Sequence, residues 1–344
     1  MIANPIFIVG TERSGSNLLR LILNEHPDIA IPHPPHLFKE LHPLLSSYGD
    51  LSRDSRFRHL IADAIRIVGL HFAPWEVNLD PVRIFEDALH RDLYCVYAGI
   101  HEQFMRHAGK KRWGCKSTFM IHHVDKILKH HAEPKLIHIV RDGRDVAVSA
   151  KKSVFNHYHP HYVARLWKAQ QREGTRLQVS LSAERFLVVR YEDLIGAPEA
   201  QVRRICEFLE VEYSERMLRY FENPSSRRLA ALSDSWRNVS RPILAANSGK
   251  FRTELTAEET FEFERIALDE LLHFGYEPVN DPVALRRIVH PVTEKIRTTG
   301  YFLQEKFRMA KVELSALLRD ENALLRVRKR LFVAMIRWRG RFGN

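Results

Sequence analysis

Residues 6–9 form a short, β-branched apolar run that stops at Gly10, and a pattern of apolar residues at helical spacing begins near Asn17. The pattern predicts strand, turn and helix. Further strand-like runs at 112–115 (the weakest), 135–140 and 185–189 suit a buried, mainly parallel sheet. Helical patterns at 57–68, 84–107 and 162–177 lie between them. Such alternation predicts an α/β fold whose ligands sit at the carboxyl ends of the strands: a mainly parallel central sheet flanked by helices. Thr256 and Glu259 form a T-x-x-E capping box that opens a helix running to about Phe274, before Gly275 and Pro278 stop it. We therefore place the first domain at 1–280 and a basic helical extension at 281–344.

The extension differs in kind. Between Tyr301 and Arg339 there is no Gly or Pro, and Leu303, Phe307, Ala310, Leu314, Leu317, Glu321, Leu324, Arg328, Leu331 and Met335 alternate at spacings of four and three. This is a heptad seam with two polar interruptions. It suits a helix or hairpin folded back on the domain, a dimeric coiled coil, or a basic helix on a membrane surface, the last drawing on the many arginines around Leu331, Phe332, Ile336 and Trp338.

Composition narrows these choices only in part. At 344 residues and 45% apolar, the chain has ample material for a core. No apolar stretch approaches the ~20 residues of a spanning helix, and the chain enters its first strand without a signal-peptide pattern. The expectation is a cytoplasmic protein, with membrane association through the extension as an addition. Three scattered cysteines, Cys95, Cys115 and Cys206, suit neither a disulfide framework nor a cysteine zinc site. Residues 293–344 hold 13 Lys and Arg against 5 Asp and Glu, a net of +8 out of the chain's +11. The basicity belongs mostly to the tail, and nothing points to nucleic acid.

The turn after the first strand carries chemistry. Gly10 and Gly15 keep the spacing of a phosphate-binding loop, G-x-x-x-x-G-K-[ST], but Ser16 replaces its lysine and Asn17 its metal-holding Ser or Thr. The cation has moved into the loop as Arg13. Backbone amides from Ser14 to Asn17 and the helix dipole make an anion site without an evident magnesium ligand. A second anion site is suggested by LIHIVRDGRDVAVSA. There a strand delivers Arg141, Asp142 and Gly143 make a turn, and Ser149 follows two helical turns later.

Taken together, the chain over residues 4–278 resembles the sulfotransferases that use 3′-phosphoadenosine-5′-phosphosulfate (PAPS). GTERSGSNLLRLIL resembles their 5′-phosphosulfate loop and VRDGRDVAVS their 3′-phosphate motif, while VVRYEDL and NSGKFRTELT are similar to later segments. The resemblance implies a P-loop-like α/β fold, PAPS as donor and no metal. It implies that Arg13, Ser14, Gly15, Ser16 and Asn17 hold the 5′-phosphosulfate and that Lys116, in RWGCKST, acts near the bridging oxygen. Arg141 and Ser149 then hold the 3′-phosphate, and Tyr191 is a candidate for adenosine contact, core packing being the alternative. Ser248, Gly249 and Lys250 resemble the loop that closes over the 3′-phosphate, with Phe251 in place of a frequent tryptophan. Ser235 matches a serine that assists at the sulfuryl group in protein-tyrosine sulfotransferases.

The departure concerns the base. Relatives read roughly I-P-P-E-x-H-F after the first helix, with the glutamate taking the acceptor's proton, but IPHPPHLF here puts Pro34 at that position. His36 and His33 remain, and neutral imidazole, with an ordinary pKa of ~6.5, is a competent base. Glu40 is the next candidate. His157, His159 and His161 lack an acidic or cysteine partner at ligand spacing, which suits an acceptor pocket or plain surface better than a metal. The expected function is sulfuryl transfer from PAPS to a hydroxyl or amine of a small-molecule, lipid or glycan acceptor. A kinase on the same fold and an inactive PAPS-binding scaffold are the alternatives, and a homodimer through the tail is a further expectation.

Overall fold

The run Ile6–Gly10 forms β1 with every side chain buried, as an unbroken apolar strand covered on both faces requires. In the computed structural model, which describes residues 4–73, 75–153, 156–231, 234–288, 290–319 and 323–342, the other strands are β2 (Ile29–Ala30), β3 (Arg112–Lys116), β4 (Lys135–Val140) and β5 (Phe186–Arg190). They form one sheet in the order β2-β3-β1-β4-β5. β1 runs parallel to β3, with Ile6 opposite Gly114 and Ile8 opposite Lys116, and β2 runs parallel to β3, with Ile29 opposite Arg112. Parallel neighbours need long crossovers, and helices supply them.

In chain order the helices that matter below are α1 (Ser16–Asn24), α2 (Leu37–Leu41), α3 (Asp54–Gly69), α4 (Leu93–His107), α5 (Gly143–Lys151), α6 (Pro160–Ser180), α7 (Ala257–His273), α8 (Pro291–Arg319) and α9 (Ala323–Phe342). The single helix expected over 84–107 is instead two, Pro81–Asp87 and α4. Ala88 turns extended, and Asp92 starts α4 afresh by accepting from the Cys95 amide at 2.9 Å. The capping box holds as expected, with both Thr256–Glu259 bonds formed at the start of α7.

The chain divides into two compact units. The first lies within residues 1–9, 20–136 and 320–344 and buries an aromatic core in which Phe38 meets Tyr97 edge-on at 5.3 Å. The second lies within 10–19 and 137–319. There Trp167 of α6 packs on Phe263 of α7, over Val146 and Ala147 of α5. A buried ion cluster locks the same unit: Arg144 pairs with Asp142 at 2.8 Å and with Glu264 at 2.5 Å. Glu264 also accepts from the Val279 and Asn280 amides, at 2.9 and 3.0 Å, which pins the chain where the sequence placed the end of the first domain.

The tail is helical on both sides of 320–322, and Glu321 lies outside the described residues. In α8 the heptad positions Leu303, Phe307 and Leu314 are exposed, while Tyr301 and Glu305 carry the docking. Tyr301 stacks on His159 at 4.1 Å, and Glu305 accepts from the Tyr158 and His159 amides at 2.9 and 2.7 Å.

Candidate active site

In the second unit the loop between β1 and α1 is set by its glycines. Gly10 and Gly15 have φ of 136° and 88°, where side chains are strained. A Cβ on Gly15 would also lie 2.3 Å from the Tyr191 ring. The loop can therefore run flat over Tyr191. Arg13, itself at φ 72°, donates from Nε to Ser149 Oγ at 3.0 Å. Arg141, leaving β4, donates to the Arg13 carbonyl at 3.2 Å and to the Asn247 carbonyl at 2.9 Å, and its guanidinium sits 4.5 Å over the Tyr191 ring. Burial, then the neighbouring Arg141, lowers the Arg13 pKa to about 10. Arg13 and Arg141 therefore put two cations side by side. Ser14 Oγ and Arg141 Nε are buried with no hydrogen-bond partner among the described residues.

The sequence expectations for this half meet in one place. The Ser14 amide is used within the turn, bonding the Thr11 carbonyl at 3.3 Å, so its hydroxyl is what it offers. Gly15, Ser16 and Asn17 stand at the start of α1, whose first amides have no intrahelical acceptor. Tyr191 is buried beneath the loop, and its hydroxyl accepts from Asn247 Nδ2 at 2.6 Å. Ser248 is exposed and Lys250 partly so, while the Gly249 amide donates to Asp145 Oδ2 at 2.7 Å and the Phe251 amide to Oδ1 at 2.9 Å. Asp145 also lies 3.6 Å from Arg141. Sequence reasoning missed Asp145, although its place in the first turn of α5, four residues after Arg141, was a usable signal. The side chain of Ser235 lies outside the described residues.

In the first unit, β3 ends at Lys116, and the Ser117 amide bonds the Ile8 carbonyl at 3.1 Å. His36 immediately precedes α2 with φ 58° and ψ 38°, a left-handed turn that faces the chain about just before Leu37, Phe38 and Leu41 bury. Its Nδ1 is buried with no partner among the described residues. His33 packs 5.0 Å from His71, and Trp75 Nε1 donates to the His33 carbonyl at 2.7 Å. Burial, then the Lys116 and Lys329 cations, drives the His36 pKa well below 6.5. Burial and then His71 do the same to His33. His71, which the sequence did not single out, is lowered to about 4, chiefly by burial. Glu40 is already engaged, its carboxylate 3.1 Å from Lys329 Nζ.

The histidine triplet is structural. His157 Nδ1 lies 2.9 Å from Glu305, His159 caps α6, and His161 Nδ1 lies 2.7 Å from Glu262. Each ring is committed to a different partner. Asp92, Cys95 and His130 approach one another within 4.8 Å, but Asp92 already caps α4 and lies 2.9 Å from His130 Nε2. Burial raises the Cys95 pKa to about 11, which keeps it a thiol.

A family model described as the sulfotransferase family matches residues 5–215. The chain belongs to the sulfotransferase family. Among curated relatives, this sulfotransferase is 22% identical over 285 residues to protein-tyrosine sulfotransferase 1 of Danio rerio, covering 80% of this chain and 73% of that one. It is 24% identical to nodulation protein NoeE of Sinorhizobium fredii, covering 79% of this chain and 65% of the relative. In fold it is similar to the sulfotransferase domain of the Synechococcus PCC 7002 olefin synthase, with TM-score 0.53 and 24% identity over 80% of this chain and 96% of that one. The sulfotransferase domain from the curacin biosynthetic pathway follows at TM-score 0.50 and 19% identity, over 80% and 98%. The matches do not favour the kinase alternative.

Proposed function

We propose that this sulfotransferase takes its sulfuryl group from PAPS and passes it to a hydroxyl or amine, releasing adenosine 3′,5′-bisphosphate. The observation that carries this is the cluster of Arg13, Ser14, Arg141 and Ser149, in which Ser14 Oγ and Arg141 Nε are buried without partners among the described residues. An unmet buried donor costs about 1–3 kcal/mol, which a phosphate oxygen offsets by accepting from it. Motif order then assigns the 5′ end of the donor to Arg13 and to Ser14, Gly15, Ser16 and Asn17, and the 3′-phosphate to Arg141 and Ser149. Tyr191 is assigned to adenosine. Ser248, Gly249 and Lys250 form the closing loop, steadied through Asp145.

In the transfer, the acceptor oxygen bonds to sulfur as the bond from sulfur to the bridging oxygen breaks, and the electron pair stays with the departing 5′-phosphate. Arg13 and the loop amides stabilise that charge, and the motif RWGCKST assigns Lys116 to it as well. The acceptor proton goes to His36, which its lowered pKa keeps neutral at pH 7. His33 is the second candidate, and the ion pair of Glu40 with Lys329 makes it the third. No metal enters this reading. It takes residues 1–280 as the catalytic domain, 281–344 as the basic extension, a small molecule, lipid or glycan as acceptor, and the cytoplasm as the site of action.

The test is transfer of labelled sulfate from PAPS across a panel of lipids, sterols, glycans and phenols. The expected result is a sulfated product whose formation needs Lys116 and is unaffected by chelators. Tight adenosine bisphosphate binding with no product from any acceptor would support a scaffold instead.

A further inference from the structure

Helix α9 has two apolar faces, and the first unit covers one of them. Phe332 and Ile336 are buried, and Arg66 lies 4.5 Å over the Phe332 ring. Lys329 Nζ reaches the Pro35 carbonyl at 3.2 Å and Glu40 at 3.1 Å, and Arg339 pairs with Asp63. The other face carries Leu324, Leu331, Met335 and Trp338, which are 69, 65, 45 and 63% exposed. Spacings of seven, four and three put these four on one stripe of a helix. The stripe contains an indole and lies about 100° round the helix from the docked face.

The charges say what fits it. Ala323–Phe342 holds seven Lys and Arg and no acidic residue, and exposed Arg328 flanks the stripe on one side, with exposed Arg330 and Arg337 on the other. A second copy packed stripe to stripe would bring arginines against arginines with no carboxylate on the helix to pair them, the reverse of what coiled-coil flanking positions need. A lipid surface bearing phosphates answers both features. Its acyl boundary takes the leucines and methionine, its headgroups take the arginines, and tryptophan suits the level between. Among the described residues no helix is long and apolar enough to cross a membrane, so this contact lies in the plane of the surface.

We infer that the outer face of α9 is a docking surface for an anionic lipid membrane. The inference does not depend on PAPS being the donor. Lys329 ties α9 to the Pro35 carbonyl, one residue from His36, so the docking helix and the segment carrying the proposed base are held together.

The test is sedimentation of the full chain with vesicles of phosphatidylcholine alone and of phosphatidylcholine with phosphatidylglycerol, at low and high salt, beside light scattering of the free protein. Binding is expected to the anionic vesicles only, to weaken several-fold with salt, and to fall at least tenfold in Leu331→Glu/Met335→Glu. Both positions are exposed, so circular dichroism should stay unchanged. Arg328→Gln/Arg337→Gln keeps the apolar stripe and should lose the preference for anionic lipid. Equal binding to both vesicle types, no binding, or binding untouched by either double variant would overturn the inference. So would a dimer that Leu331→Glu/Met335→Glu dissociates, because the stripe would then be an interface between copies.

Discussion

Arg13 and Ser149, 136 positions apart, are joined by a 3.0 Å hydrogen bond from guanidinium Nε to hydroxyl Oγ. The bond links the loop after β1 to helix α5, the two segments that the sequence motifs assign to opposite ends of one donor molecule. Ser149→Ala removes one polar contact from this pair. It should weaken adenosine 3′,5′-bisphosphate binding by about three- to tenfold, an ordinary hydrogen bond being worth ~0.5–1.5 kcal/mol. Calorimetry reads this directly, and an unchanged affinity would remove Ser149 from the donor site.

Asp145 gives a sharper case because its carboxylate accepts from both the Gly249 and Phe251 amides while lying beside Arg141. Asp145→Asn keeps the shape but loses the charge and one acceptor oxygen. The 248–250 loop should loosen, with faster amide exchange there and at least tenfold weaker bisphosphate binding. Weaker binding without faster exchange would mean that Asp145 acts only through Arg141.

The proposed base predicts a pH profile. With its pKa pushed well below 6.5 by burial, His36 is neutral at pH 7, so the acid limb of kcat/KM should lie well below the ordinary imidazole value of ~6.5. A carboxylate base would also put its limb below the ordinary imidazole value, so His36→Gln is the discriminating variant. It should lose most of kcat while leaving bisphosphate affinity unchanged. Full activity in His36→Gln and His33→Gln would move the role to Glu40.

Stability should also depend on acid. Burial holds His71, His101 and His138 near a pKa of about 4, below their unfolded value of ~6.5. As pH falls from ~6.5 the unfolded chain takes up protons that the folded chain refuses. Stability therefore drops, by up to about 1.4 kcal/mol per pH unit for each such histidine. Urea denaturation at pH 7 and pH 5 checks this, and equal midpoints would contradict it. Glu264→Ala, which takes one of two carboxylates from buried Arg144 and the acceptor from the Val279 and Asn280 amides, should separately cost about 3–5 kcal/mol at pH 7.

The legible parts of this molecule were those that short local patterns encode. The alternating strands and helices, the glycines that let the 10–15 loop lie on Tyr191, and the residues Arg13, Arg141 and Ser149 all followed from motifs a few residues long. His71 was not legible, because it meets His33 only through folding of a segment without periodic signature. The tail was legible as helix but not in its docking face: the heptad positions Leu303, Phe307 and Leu331 are exposed, whereas docking uses Tyr301, Glu305, Lys329 and Phe332. Hydrophobic periodicity marks a face, but a polar partner such as the carboxylate of Glu40 can decide which face turns inward.

In the proposed reading, Arg141 and Ser149 select a nucleotide carrying a 3′-phosphate. The most direct measurement is calorimetry of the unmodified protein with adenosine 3′,5′-bisphosphate and with AMP, in the absence of metal. A charge-assisted contact of ~1.5–3 kcal/mol predicts at least tenfold tighter binding of the bisphosphate, with the difference largely lost in Arg141→Ala. Equal affinities for the two nucleotides, or binding only when magnesium is added, would contradict the account.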